Sequence, residues 1–268
     1  MNPLVIKFGG YQKPASINNA AARRFGEVLQ ARLGDQISFQ LIGNVLDLGR
    51  PSGDLPVMVK NGELSLCYIS SVRFTEPVPE FKVLELPFVV KNRASIQRAF
   101  AGEFGEICKS RMRDATAFRL LGLWDNGFRH LTNRVRPIRT PSDCRCLRIR
   151  TQMSELHGEA LGALGFVPIP VDVKEFVEQI AGDRFDAQEN PLTNTYNFGV
   201  HHYHRYITLT GHFFGASVMI CNAQHYAGWP PDVQDAVAEA AAQATALQLE
   251  LAAAEDEQIL AKFDPRHN

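Results

Sequence analysis

The residues best equipped for chemistry are two arginines on a short apolar run. Leu147-Arg148-Ile149-Arg150 reads as a strand, and alternate strand residues face the same way, so Arg148 and Arg150 share a face. A guanidinium is planar, permanently charged and matched to the two oxygens of a carboxylate. Either arginine could hold an organic acid, or make a surface salt bridge. Asn190, in Gln188-Glu189-Asn190-Pro191, carries an amide that donates and accepts. It suits an oriented polar ligand, or a turn before Pro191. His201-His202-Tyr203-His204 invites a metal reading, because imidazole is the commonest metal ligand. No nearby cysteine or paired carboxylate spacing supports it, and the run reads as a solvated surface. Cys144 and Cys146 lack the C-x-x-C spacing and read as incidental thiols. G-x-S-x-G, H-E-x-x-H, the P-loop and G-x-G-x-x-G are all absent. Neither an enzyme of a familiar class nor a cofactor or metal is expected.

The elements that must position these groups belong to an ordinary globular chain. Its 268 residues suit one large domain or two ordinary ones. An apolar content of 45% with 21% charged residues argues against a disordered chain, a collagen or a coiled coil. Lys+Arg (28) and Asp+Glu (29) nearly cancel, so there is no electrostatic footprint for nucleic acid or an anionic membrane. No apolar run approaches the roughly 20 residues of a membrane helix. The opening MNPLVIKFGG lacks the basic and apolar regions of an export signal, so a mature form or a cytosolic protein is expected. Five scattered cysteines make no disulfide framework.

Along the chain, strands are expected at Leu4–Gly9, Ile37–Ile42 and Leu64–Ile69, alternating with a helix capped by Ser16 and stopped by Gly34 and another through Val57–Val59. This β-α-β-α-β order argues for an α/β sheet covered by helices. Helices around Ala94–Phe100 and Phe104–Arg113 precede a strand at Phe118–Trp124, and Asn126–Pro141 reads as a connection. A second α/β set follows, from Leu147–Arg150 through helices near Met153–Leu164 and Val173–Ala181. Tyr206–Thr210 and Ser217–Asn222 read as two further strands. From Asp232 to about Lys262 there is neither glycine nor proline, which predicts a helix of roughly 45 Å, long enough to cross two domains.

Four segments together resemble the extracytoplasmic solute-binding subunits of TRAP transporters, the DctP-like family of C4-dicarboxylate and sialic-acid binding proteins. They are LPFVVKNRASIQRAF, NGFRHLTNRVRPIRTPSDCRCLRIRTQ, DAQENPLTNTYN with YITLTGH after it, and NAQHYAGWPPDVQDAVAEAA. The resemblance runs from about Ile6 to Lys262, and the QENPL and L-x-I-R elements are specific at their mutual spacing. It implies two α/β lobes joined by a hinge, a ligand cleft between them and a long helix crossing both. Lobe one would comprise residues 1–126 plus 212–250, and lobe two 127–211 plus 251–268, with a shorter C-terminal part than in relatives.

The resemblance also implies roles. Arg150 would pair with the ligand carboxylate in a two-pronged contact, with Asn190 beside it and Glu189 holding the loop. Arg129 and Arg73 match arginines that reach the cleft, or that support the hinge and the lobe–lobe contact. Tyr11 and Ser70 would sit after strands at the cleft; Tyr11 replaces a small polar residue of some relatives and Ser70 a carboxylate. Val173 stands where many relatives carry an aromatic cleft wall, and His212 is expected to serve the hinge rather than the ligand. The implied protein is monomeric and periplasmic and delivers a small organic acid to TRAP membrane permease subunits. A ligand-sensing subunit using the same cleft, or a non-exported degenerate relative, is the alternative.

Overall fold

Strand propensity and local caps set out the elements of the computed structural model, which describes residues 3–264, 266 and 267. Met1, Asn2, Pro265 and Asn268, at the ends of the expected lobe segments 1–126 and 251–268, lie outside the described residues. The strands are β1 (Leu4–Gly9), β2 (Ile37–Ile42), β3 (Leu66–Ser70), β4 (Phe118–Asn133), β5 (Arg148–Thr151), β6 (Val167–Pro170), β7 (Ala187–Pro191) and β8 (Tyr206–Asn222). The helices are α1 (Ile17–Leu33), α2 (Leu55–Lys60), α3 (Arg93–Ala101), α4 (Glu103–Ala115), α5 (Glu155–Ala163), α6 (Val173–Gln179), α7 (Leu192–Asn197), α8 (Ala223–Gly228) and α9 (Pro231–Leu260). Ser16 caps α1 by accepting from the Asn19 N–H, and Gly34 follows its last turn.

All eight strands form one sheet in the order β2-β1-β3-β8-β4-β7-β5-β6. The long antiparallel pair β4 and β8 runs through both halves, from Phe118↔Asn222 to Asn133↔Tyr206. At one end β8 pairs with β3, and at the other β4 pairs with β7. Two expectations are corrected here. Asn126–Pro141 is not wholly a connection, because β4 continues to Asn133. Tyr206–Thr210 and Ser217–Asn222 are not separate strands but parts of β8. Gly127, Gly211 and Gly215 lie inside the two long strands. Gly127 has φ 99°, a conformation that favours glycine, and it sits at one of three register shifts in the β4–β8 ladder. The bulged middle thus bends without ending the strand.

Apolar side chains collect in separate cores on the two sides of this crossing. One is built around Phe8, Phe25, Tyr68 and Trp124; the other side holds a cluster with Ile149, Leu161 and Phe213 and another with Phe176 and Phe185. Helix α9 spans 30 residues, about 45 Å at about 1.5 Å per residue, and joins the halves. Its first half buries Ala236, Ala240 and Ala244, small enough to pack closely with α1 and β4. Midway, buried Gln248 accepts from the Asp125 N–H at 2.9 Å and donates to the Asn18 side chain at 3.0 Å. Farther along, Glu255 accepts from Thr193 of α7 at 2.8 Å. The fold is two-lobed α/β, with a hinge and a helix crossing both lobes.

Burial pushes the Glu255 carboxyl up to about 7, helped by Asp256 and Asp125, against the Thr193 hydrogen bond and Arg93. A raised carboxyl favours its protonated form in the folded chain. Its stabilisation is complete below the ordinary value of 4.5 and is lost as pH rises through about 7. Glu255→Gln keeps an acceptor for Thr193 and cannot ionise. The variant is therefore expected to melt higher than wild type at pH 8, by the equivalent of about 1–3 kcal/mol, with the advantage shrinking towards pH 5. An advantage equal at both pH values in thermal melts would contradict this assignment.

Candidate functional site

The parallel strands β1 and β3 of one lobe and β5 and β7 of the other direct their C-terminal ends to the space between the lobes. Ligands of α/β sheets bind at such ends. Tyr11 follows β1, Ser70 ends β3, Arg73 lies in the turn after it, Arg150 is on β5, Asn190 on β7 and Arg129 on β4. All six residues expected from the sequence line one cavity of about 30 Å³, and Val173 lines it too. Its polar lining is completed by Ser52, Asn126, Gln152 and Asn194. Asn190 and Glu189 stand on a buried strand, not on the loop that Pro191 suggested.

The three arginines of the cavity differ in their partners. Arg129 and Glu189, 1% and 0% exposed in their side chains, form a two-pronged pair. Nε of Arg129 donates to Oε2, and Nη2 donates to Oε1 at 2.9 Å and to the Asn190 Oδ1 at 3.3 Å. Burial alone would raise the Glu189 carboxyl, but Arg129 and His157 outweigh it and hold the group well below the usual carboxylate range.

Arg73 donates to Asp172 at 2.6 Å across the cleft. Asp172 also caps α6 through the Lys174 N–H at 2.9 Å and accepts from the Ser52 hydroxyl at 2.8 Å and the Gly53 N–H at 3.1 Å. Although burial opposes it, these donors lower the Asp172 carboxyl below its ordinary value.

Arg150 has no carboxylate partner among the described residues. Its Nε and Nη2 donate to the Val171 carbonyl at 3.2 and 2.9 Å, and the guanidinium lies 5.3 Å from the Phe176 ring centroid. Burial lowers its pKa to about 10, partly offset by Glu189, so it stays charged at neutral pH. One edge of the fork is occupied by Val171. The Nη1–Nη2 edge keeps two parallel N–H groups, the donor pattern a carboxylate takes. Beside it, Asn190 donates to Gln188 Oε1 at 2.5 Å and accepts from Asn194 at 3.4 Å. Arg148, by contrast, pairs with Asp186 at 2.9 Å and is spent on a salt bridge.

Other candidates fall away from the cavity. His212 is buried, hydrogen-bonded to Thr210 at 2.7 Å and lowered to about 4 by burial. His201 stacks on Tyr196 with centroids 4.7 Å apart, and His204 is hydrogen-bonded to Thr132 at 2.9 Å. Among the described residues, no three His, Cys, Asp or Glu side chains come together to hold a metal ion. Sequence reasoning passed over Asp172, Ser52, Gln152, Asn126 and Asn194. Asp172 had a readable signal, standing just before the predicted helix at Val173 as an N-cap does. Ser52 and Gln152 carry none, because only folding brings them to the cleft.

Comparison with known proteins gives the family of the chain. The family model for bacterial extracellular solute-binding protein, family 7 (DctP), matches residues 8–266. The 2,3-diketo-L-gulonate-binding periplasmic protein YiaO of Escherichia coli K12 is 25% identical over 255 residues, covering 95% of this chain and 77% of its own. A TRAP periplasmic solute-binding protein of Sulfurospirillum deleyianum, solved with bound succinate, superposes with a TM-score of 0.92 at 25% identity, covering 98% of this chain and 84% of that one. The sugar acid binding protein DctPAm of Advenella mimigardefordensis, solved with galactonate, gives a TM-score of 0.91 at 23% identity, covering 97% and 83%. With nearly its whole length matched and the family's two-lobed fold in place, this chain belongs to the bacterial extracellular solute-binding protein family 7.

Proposed function

We propose that this protein is the solute-binding subunit of a TRAP-type transporter and captures a small organic acid in the cleft between its lobes. The observation that carries this reading is Arg150: a buried, charged guanidinium lining the cavity, with no acid partner among the described residues and two parallel N–H groups to spare. A closed, water-poor cleft strengthens such a charged pair. The solutes of the relatives, succinate, galactonate and 2,3-diketo-L-gulonate, all present a carboxylate. Lobe one comprises residues 1–126 plus 212–250 and lobe two 127–211 plus 251–268, moving about β4 and β8. The protein works in the periplasm as a monomer, handing its acid to membrane permease subunits without chemical change.

The test is a thermal-shift screen against organic acids and their uncharged counterparts. An acid at about 100 times its Kd adds about 2.7 kcal/mol of stability. For a chain of this size that corresponds to a rise of roughly 5–10 °C. The matching amide or polyol is expected to leave the melt unmoved. A sugar or amide that stabilises as well as its acid would overturn the reading.

A further inference from the structure

The charge inventory of the cleft narrows the solute. Among the described residues, three arginines line the cavity and no carboxylate does. Two of the three are already neutralised from behind, Arg73 by Asp172 and Arg129 by Glu189. Neither partner is free to leave. Glu189 is fully buried and held on both oxygens, and Asp172 is gripped by Arg73, Ser52, Gly53 and Lys174. His157 and Glu85 lie 4.0 Å apart, with His157 against Glu189, and do not line the cavity. One unbalanced positive charge is left, on Arg150.

Resting on the acid-binding reading, we infer that the cleft takes a hydroxylated monocarboxylate in preference to a dicarboxylate, because one arginine is unpaired, two are held by buried acids, and the other polar groups of the lining are neutral. That lining consists of hydroxyls and amides, including Tyr11, Ser52, Ser70, Gln152, Asn126 and Asn194. Such groups donate and accept in turn, as alcohol groups along a carbon chain do. A second carboxylate would meet only these neutral groups and arginines already paired with Asp172 and Glu189, and a charge without a free partner in a closed cleft is strongly disfavoured. Asp172 acts as a built-in acid that occupies Arg73, the place a second ligand carboxylate would need. It also clasps the two lobes, since Ser52, Gly53 and Arg73 come from one lobe and Asp172 from the other.

Isothermal calorimetry at neutral pH tests this with two probe sets. One holds D-erythronate, D-gluconate and D-galactonate; the other holds succinate, fumarate and L-malate. The best monocarboxylate is expected to bind at least tenfold tighter than the best dicarboxylate. A dicarboxylate that binds as tightly as any of the hydroxy acids overturns the inference and leaves the acid-binding reading standing. Binding of none of the six overturns the inference, and the thermal-shift screen then decides the acid-binding reading separately.

A second arm uses Asp172→Asn, which keeps an N-cap and hydrogen-bonding groups for Ser52 while releasing Arg73. Looser closure weakens all the acids together, so the readout is a ratio. The affinity of succinate relative to the best hydroxy acid is expected to rise about tenfold. An unchanged ratio in the folded variant would overturn the role given to Asp172. Should the variant fail to fold, the wild-type comparison decides the inference.

Discussion

Replacing Arg150 with lysine lowers the affinity for the acid thirtyfold to a thousandfold and leaves the fold standing. The guanidinium uses one edge to hold the Val171 carbonyl, and in the proposed function the other edge takes the ligand. An ammonium is a single point charge on a flexible stem and cannot do both. The loss is that of one or two charge-assisted hydrogen bonds, about 2–4 kcal/mol. Stability changes little, because Arg150 has no buried acid that would be left unpaired. Calorimetry on the folded variant checks this, and an affinity within threefold of wild type would show that the charge alone, without the fork, holds the ligand.

Glu189→Leu produces the largest change in stability. It strips the carboxylate from Arg129, whose side chain is 1% exposed, and leaves a buried guanidinium without its counter-charge. Breaking such a pair costs about 3–5 kcal/mol, a fall in Tm of roughly 6–20 °C. Glu189→Gln is milder, since the amide oxygen still accepts from Arg129. Combining Glu189→Leu with Arg129→Met removes both charges and is expected to recover much of the loss, because well-packed apolar groups often replace a buried ion pair at little cost. Thermal melts of the three variants give the answer. A single leucine variant as mild as a surface substitution would mean that the pair is poorly buried in solution.

Much of this organisation was legible along the chain, where the signals are local. Ser16 and Gly34 bound α1, Pro230-Pro231 opens α9, and Leu147–Arg150 marks the strand that carries Arg150. Resemblance to a known family supplied the six cleft residues and the way the lobes are joined. What escaped is non-local. Gly127, Gly211 and Gly215 are punctuation in a sequence, but long antiparallel pairing carries β4 and β8 through them. In β7, Gln188, Glu189 and Asn190 are buried polar residues without strand periodicity. Their partners Thr132, Arg129 and Asn194 are supplied by the fold. The charge balance of the cleft was hidden for the same reason. Arg73 and Asp172 are 99 positions apart, and Arg129 and Glu189 are 60 apart. Nothing in a linear reading couples them, and without those pairings the cleft would count three available cations rather than one.

The central claim is that Arg150 anchors the carboxylate of the solute. The most direct test is a crystal structure of the wild-type protein with the acid that gives the largest thermal shift. The carboxylate oxygens are expected about 2.7–2.9 Å from Nη1 and Nη2 of Arg150, with Arg73 still on Asp172 and Arg129 still on Glu189. A carboxylate seated on Arg73 or Arg129, with Arg150 bonded only to the Val171 carbonyl, would contradict the account.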